Sequence, residues 1–496
     1  MLRRRHLLGI VAAAVASPVF RRPAWATPAD DTLRVTWLDA LDTLDPYATP
    51  LRTGVMLAHD VYDGLVHRDP ETLQIRPLLA RTWRLAPDRL SLDFTLQGGV
   101  RFHNGSLFGP DDVIATVARA MRPDVAVPSN YEWLAGAERT DDGVRLHLAH
   151  PFPPVFEYLA MILPMLPADG ATGAGTGPYL ASLDADRTVR LLRNEGYAPG
   201  PKSRPAIARV EIRQRPDDST GGFDDLEAGR ADWIWQLTPA QFARGAVATG
   251  WQSVRAESMR IGYLQFDAAG RSEPNGPITR PEVRAAIVRA VDRSALAAMV
   301  VAGGGRVPPG PCYPTQFGCD GTVGSLPAFD PAAARALLAA NGFGGGFATE
   351  LVTYLRPDIV AFVTDALAAV GVRANVVRLP AGEAMARARA GAAPLFLGSW
   401  GSWSINDVSA ILPAFFGGGA LDAARRPEIS TLVRDGDQAA TADARRAAYG
   451  KAIEMVARDA LFMPLYIDGA TYGVSRRLAF RAAADELPRF YRMAWK

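Results

Sequence analysis

The chain has 496 residues, 48% of them hydrophobic and 21% charged, with a formal net charge of +2. Five arginines and no acids lie in the first 26 residues, so the rest carries 49 basic against 52 acidic side chains, a net of −3. That balance leaves nothing to argue for a nucleic-acid binder, where a clustered basic face is expected. Roughly 470 residues exceed a single hydrophobic core and predict two or three lobes.

Residues 1–26 read as an export signal. Arg3, Arg4 and Arg5 are followed by an apolar run from Leu7 to Phe20 and by Ala24-Trp25-Ala26, the small-x-small pattern of a cleavage site. The run is 14 residues long and contains Pro18, too short to favour a membrane anchor. Arg4-Arg5-His6-Leu7-Leu8 also resembles a twin-arginine signal. Cleavage near Ala26 would release a free, soluble chain into the periplasm.

Beyond the signal, strand-like and helix-like segments alternate. Period-two patterns at Leu90–Leu96 and Val144–Leu148 predict strands. The Gly/Ala/Thr-rich stretch from Ala168 to Tyr179 reads as a surface loop. Thr279 and Glu282 have the spacing of a capping box ahead of Val283, Ile287 and Val291, which share one helical face. Gly303 through Pro311 is irregular, because glycine and proline interrupt any regular element.

Asp330-Pro331 predicts an N-cap with proline at the first helical position, and Asn341-Gly342 the end of that helix. A helix from Ile359 to Val370, a strand from Val372 to Val377, a helix from Asp443 to Arg458 and a strand near Met463–Ile467 follow. The alternation predicts an α/β architecture.

Two cysteines, Cys312 and Cys319, are the whole complement, and in an exported chain they are disulfide candidates. No zinc-like spacing surrounds them. After the signal, histidine occurs only at positions 59, 67, 103, 147 and 150, and His103 is expected to make a structural hydrogen bond. The chain has no Gly-x-Ser-x-Gly elbow, no His-Glu-x-x-His and no phosphate-cradling lysine motif, which argues against a secreted hydrolase.

Several segments, in order, carry a resemblance: Leu44-Asp45-Pro46, Val61–Val66, Pro77–Ala80 with Trp83, Val100–Gly105, Gly175–Tyr179, Leu192–Asn194, Arg280–Arg293, Asp330–Gly342 and Pro464–Tyr466. With these the chain resembles the peptide- and nickel-type solute-binding proteins of ABC importers, extracytoplasmic family 5. The resemblance implies a two-lobed periplasmic binding protein fold, class II-like and of the large peptide-binding type, with a ligand cleft between the lobes. It implies lobe I at 27–263, lobe II at 264–467 and a C-terminal return to lobe I at 468–496. It also implies a monomeric receptor without enzymatic activity or cofactor. Such a receptor closes by hinge motion on a small-molecule or peptide ligand and delivers it to a permease in the inner membrane.

Within that frame, Arg356 of Tyr354-Leu355-Arg356-Pro357 is similar to the arginine with which dipeptide-binding members hold a ligand carboxylate, and a planar fork of donors suits that task. The family's amine-binding aspartate would fall at Trp403, so Asp407 could serve only if the loop takes a different path. Trp400, Trp403 and Phe416 are candidate aromatic walls. Trp133 and Tyr47 are candidates from the first lobe. A receptor for nickel, a metal chelate or haem is the alternative, with no metal ligand assigned.

Overall fold

The computed structural model describes residues 30–198, 200–216, 221–301, 304–319 and 326–496. The export-signal reading of residues 1–26 lies outside them. A ten-stranded sheet organises the protein. Its strands, in chain order, are β1 (Thr32–Trp37), β2 (Tyr179–Leu183), β3 (Val189–Arg193), β4 (Arg209–Gln214), β5 (Trp233–Trp235), β6 (Trp251–Phe266), β7 (Phe347–Thr353), β8 (Val372–Arg378), β9 (Leu395–Trp400) and β10 (Phe462–Ser475). Their spatial order is β8-β7-β9-β6-β10-β5-β1-β4-β3-β2. A separate four-stranded sheet of Ala80–Leu85, Ser91–Leu96, Gly143–Leu148 and Leu134–Thr140 stands in the first part of the chain.

β6 and β10 differ from the other strands. They are antiparallel partners from Trp251↔Ser475 to Gln265↔Phe462, 16 and 14 residues long, and pass from one hydrophobic core into the next. At one end Ala470, Tyr472 and Val474 join a core built from Leu33, Trp37, Met56, Val113 and Trp233. At the other, Leu264 and Phe266 of β6 and Met463, Leu465 and Tyr466 of β10 join a core with Ile287, Leu338, Leu351 and Val363.

Around that second core the sheet is covered on both faces. Leu264 and Phe266, Leu395 and Leu397, and Leu351 face one core, while Tyr263, Phe396 and Val352 face another containing Phe415, Tyr449 and Phe462. Burial on both faces explains why Leu395-Phe396-Leu397 is a continuous apolar run and not an alternating one. Helices α1 (Arg52–Val61), α2 (Pro281–Ala290), α3 (Pro331–Ala340), α4 (Pro357–Ala368) and α5 (Ala442–Arg458) are among those that pack around these cores.

Asp330 caps α3 as predicted, its carboxylate accepting the Ala333 N–H at 2.9 Å. The Thr279–Glu282 capping box does not form. Arg280, held extended by the proline that follows it, is the N-cap of α2, and the Thr279 hydroxyl donates instead to the Gly276 carbonyl at 2.7 Å.

The stretch from Ala168 to Tyr179 is only partly a surface loop. Gly175 and Gly177 press against α1 so closely that a Cβ would come within 1.9 Å and 2.6 Å of the Val61 carbonyl oxygen. Thr176 between them is buried and donates to Asp63 at 3.1 Å. Of the irregular stretch beginning at Gly303, the described part from Gly304 contains no helix or named strand. Cys312 and Cys319 are joined in a disulfide.

Candidate ligand-binding site

β7 and β9 run parallel, pairing Thr353 with Leu397, so their carboxyl ends lie side by side. Chain leaving such ends forms the ligand crevice in open α/β sheets. Here the two exits are tied together: the Tyr354 hydroxyl donates to the Ser399 carbonyl at 2.8 Å and accepts the Ser399 N–H at 2.9 Å. Two residues on, Arg356 is the N-cap of α4 and stands at the mouth of this exit. Its guanidinium reaches Asp358 at 2.9 Å, and the side chain is 43% exposed.

β6 supplies the adjoining edge, pairing Ile261 with Trp400 on one side and with Ile467 on the other. Between the pairs Glu257↔Gly469 and Ile261↔Ile467, Ser258, Met259 and Arg260 on β6 stand opposite Asp468 alone on β10. Such a bulge bends its strand and re-aims a side chain, a device common beside functional sites. Arg260 leaves the bulge toward Gly401, lies 3.6 Å from Glu486 and keeps 30% of its side chain exposed. Burial works against its charge, Glu486 and Asp468 favour it, and the balance holds its pKa above the ordinary value.

Beyond β9, Ser402, Trp403 and Ser404 all adopt left-handed backbone, with φ of 50°, 49° and 59°. Three non-glycine residues in that region are strained and persist only where surroundings impose them. Those surroundings come from the first part of the chain and from the C-terminal segment. Arg68, fully buried, donates to the Ser404 carbonyl and to Glu157, each at 2.6 Å, and to Asp485 at 3.2 Å. Arg52 bonds Ser404 and the Asp485 carbonyl and approaches Glu486 at 3.4 Å. Glu157 accepts the Asn406 N–H at 3.0 Å. Burial opposes the charge of Asp485, but Arg489, Arg68 and Arg52 outweigh it and hold the carboxyl well below its ordinary range.

The residues singled out in the sequence have separate fates. Arg356 and Trp400 are at the strand exits; the Trp400 indole donates to the Ala410 carbonyl at 2.9 Å and its ring packs edge-on against Phe415. Trp403 turns toward the first core, where with Tyr47, Asn130 and Tyr131 it borders a cavity of about 30 Å³. That is room for a water, not a peptide.

Tyr47 is buried there, its hydroxyl donating to the Pro164 carbonyl at 2.7 Å. Trp133 is stacked on Phe152 inside the same core, its indole bonded to the Asn130 carbonyl. Phe416 is buried against Phe462.

Asp407 is 3% exposed and bound by Arg445 through two hydrogen bonds of 2.9 Å. Both its oxygens are engaged, which removes it from the amine-acceptor role; Phe416, Tyr47 and Trp133 are likewise removed as open walls by their burial. His103 makes the hydrogen bond expected of it, to the Gly177 carbonyl at 3.0 Å.

Sequence reasoning misses Arg260, Tyr354 and Asp468 as site residues. A charge inside the run Met259–Phe266 is the available signal for Arg260, and a charge breaking the run Phe462–Ser475 directly after Ile467 is the signal for Asp468. Among the described residues, no three histidine, cysteine, aspartate or glutamate side chains are grouped to hold a metal ion.

Two cores joined by a pair of shared strands, with charged and aromatic side chains gathered at strand exits beside the join, define a two-lobed solute-binding protein. Residues 74–422 match the model of the bacterial extracellular solute-binding proteins, family 5. The chain belongs to that family, whose members serve ABC transporters.

It is 27% identical over 364 residues to the glutathione-binding protein GsiB of Salmonella typhimurium, covering 69% of this chain and 68% of that one. It is 26% identical over 340 residues to heme-binding protein A of Haemophilus influenzae, covering 61% and 60%. Among solved structures, NikA from Brucella suis in complex with Fe(III)-EDTA superposes with a TM-score of 0.81 at 22% identity, covering 94% of this chain and all 100% of that one. The ABC transporter-associated periplasmic binding protein DppA from Helicobacter pylori, in complex with peptide STSA, gives 0.79 at 21%, covering 94% and 98%. No helix among the described residues is long and apolar enough to cross a membrane.

Proposed function

We propose that this protein is an exported, monomeric periplasmic receptor that captures a peptide or similar small carboxylate-bearing ligand, closes on it, and presents it to an inner-membrane permease. Lobe I is residues 27–263 with the return at 468–496, and lobe II is 264–467; the passage of β6 and β10 from one core to the next supports this division. The signal is cleaved near Ala26. The protein performs no catalysis.

The observation that carries the reading is Arg356, an accessible guanidinium fork at the joined exits of β7 and β9, beside Tyr354, Ser399 and Trp400. Its bond to Asp358 is local and exposed, so a ligand carboxylate can replace it at small cost. Glutathione, haem, peptides and EDTA chelates, named for relatives and neighbours, all present carboxylates.

Arg356→Ala should weaken binding by about 1.5–3 kcal/mol in calorimetry, the range for a hydrogen bond to a charged group. Unchanged affinity would remove the carboxylate clamp. The ligand is first identified by mass spectrometry of what the denatured protein releases. A metal-chelate or haem receptor is the second reading, favoured by the haem-binding relative and the Fe(III)-EDTA neighbour. Metal analysis of protein purified without a histidine tag separates the two.

A further inference from the structure

We propose that the chain carries its own closing latch: Arg89 and the Ser402–Asn406 turn tie the two lobes together without a ligand, so closed protein exists before anything binds. This rests on the two-lobe division proposed above and is independent of the carboxylate-binding role of Arg356.

Arg89 stands at the tip of the hairpin that joins Ala80–Leu85 to Ser91–Leu96, whose Leu92 and Phe94 belong to the first core. Local bonds fix the tip. The Ala86 N–H donates to the Ser91 carbonyl and the Arg89 N–H to the Ala86 carbonyl, each at 2.9 Å, and the Asp88 carboxylate accepts the Leu90 N–H at 2.9 Å. From there the guanidinium reaches across, donating to the carbonyls of Gln438 and Ala439 at 2.9 Å and 3.0 Å. Those carbonyls close the helix Pro427–Gln438, whose Ile429 and Val433 pack in the core that contains Phe415 and Tyr449. The last carbonyls of a helix lack partners within it and form its negative end, so a guanidinium suits them.

The second tie runs in the opposite direction. Phe396 of β9 and Val408 lie in the cores of the second lobe, yet Ile405 between them is 1% exposed and belongs to the first core. Around it the first lobe supplies the polar bonds: Arg52 to the Ser404 hydroxyl, Arg68 to the Ser404 carbonyl at 2.6 Å, and Glu157 to the Asn406 N–H at 3.0 Å.

Both ties are built to come undone. Parted from Ser404 and Asn406, Arg68 and Glu157 still hold each other at 2.6 Å, and Arg68 still holds Asp485, so opening strands no buried charge. Arg89 is only partly buried, and water can take the place of its two carbonyls. The left-handed backbone at Ser402, Trp403 and Ser404 is imposed by these first-lobe contacts, so the turn relaxes when the lobes part. Against that stands the apolar seat of Ile405, which opening would expose to water. A turn with two such arrangements sets a closing equilibrium from inside the chain, and a ligand then shifts a population that already exists.

The test follows the Asn406 amide by residue-resolved hydrogen exchange, in protein that has been unfolded, dialysed free of small molecules and refolded. That N–H is donated to Glu157 across the lobes, so its exchange reports their parting. In the ligand-free wild type it should exchange at least about tenfold more slowly than in an unstructured peptide. The Arg89 side chain is bonded at Gln438 and Ala439, away from the Glu157–Asn406 bond, yet Arg89→Ala should speed the Asn406 exchange at least about threefold. The Leu351 amide of β7, inside the second lobe, should keep its wild-type rate.

Exchange of wild-type Asn406 at the unstructured rate overturns the proposal. Equal Asn406 rates in wild type and Arg89→Ala overturn it too, as does a speeding that Leu351 shares, which would mark general destabilisation. No ligand enters these measurements, so the carboxylate clamp stands or falls on its own.

Discussion

Arg445 holds Asp407 in a two-pronged grip, Nη1 to Oδ2 and Nη2 to Oδ1, each at 2.9 Å and shielded from solvent. The same arginine bonds the Gly436 carbonyl and the Tyr449 hydroxyl and lies over the ring of Phe317. The pair is therefore a fastening between α5 and the loop after β9. Breaking a buried pair leaves a charge without compensation. Asp407→Ala should lower unfolding free energy by about 3–5 kcal/mol in denaturant titration, with ligand affinity of the remaining folded protein within twofold of wild type.

Arg68 fastens the strained turn at Ser402–Ser404 to the first part of the chain, and none of its side chain is exposed. Arg68→Ala strands Glu157 and frees a carbonyl whose conformation it helps impose. The expected loss is again about 3–5 kcal/mol. Limited proteolysis should then cut first within 402–406.

Asp60 is buried at the C-terminal end of α1, where one oxygen accepts the Tyr491 N–H at 3.0 Å and the other has no partner. Burial pushes its carboxyl up from 3.8 to about 7. An acid whose folded value exceeds its unfolded value binds its proton more tightly when folded. Its effect is thus to make stability fall as pH rises from about 4 to about 7, levelling off above that. Asp60→Asn should gain on wild type across that window, measured as the difference in melting temperature against pH. A constant difference would refute it.

Gly175 has no room for a side chain against the Val61 carbonyl, since a methyl group there would lie only 1.9 Å from that oxygen. Gly175→Ala should destabilise the protein by about 3 kcal/mol in chemical denaturation, the upper range for overpacking a rigid site.

The disulfide closes a loop with a sequence separation of 7. Chain-entropy reasoning for so short a loop gives about 2–3 kcal/mol. The Cys312→Ser, Cys319→Ser double variant should lose that much under oxidising conditions and nothing under reducing ones.

The order of strands and helices can be read from the chain wherever the cause is local. Asp330-Pro331 announces α3 because the capping carboxylate is only three residues from the N–H it accepts. Leu395-Phe396-Leu397 announces a strand buried on both faces. Thr279 and Glu282 mislead because Pro281 overrides a capping pattern that ignores backbone geometry.

At the site the decisive facts are distant ones. Asp407 looks available in the sequence because Arg445 lies 38 residues further on, and Tyr47 and Trp133 look like cleft walls because burial inside the first core leaves no local trace. Asp468 is placed only by the register of β6 against β10, which reveals the bulge.

The position of β10 in the sheet has a consequence for how the chain is made. It is the last of the ten strands in sequence, yet it sits between β5 and β6, with four strands on one side and five on the other. Until residue 475 has been synthesised, β5 and β6 each present an open edge, the kind of surface that pairs with other chains. A nascent chain can assemble two half-sheets, but it cannot join them before Phe462–Ser475 arrives. Newly made protein is thus most prone to aggregation until that strand is in place, and a chain truncated ahead of Phe462 would remain in that condition permanently.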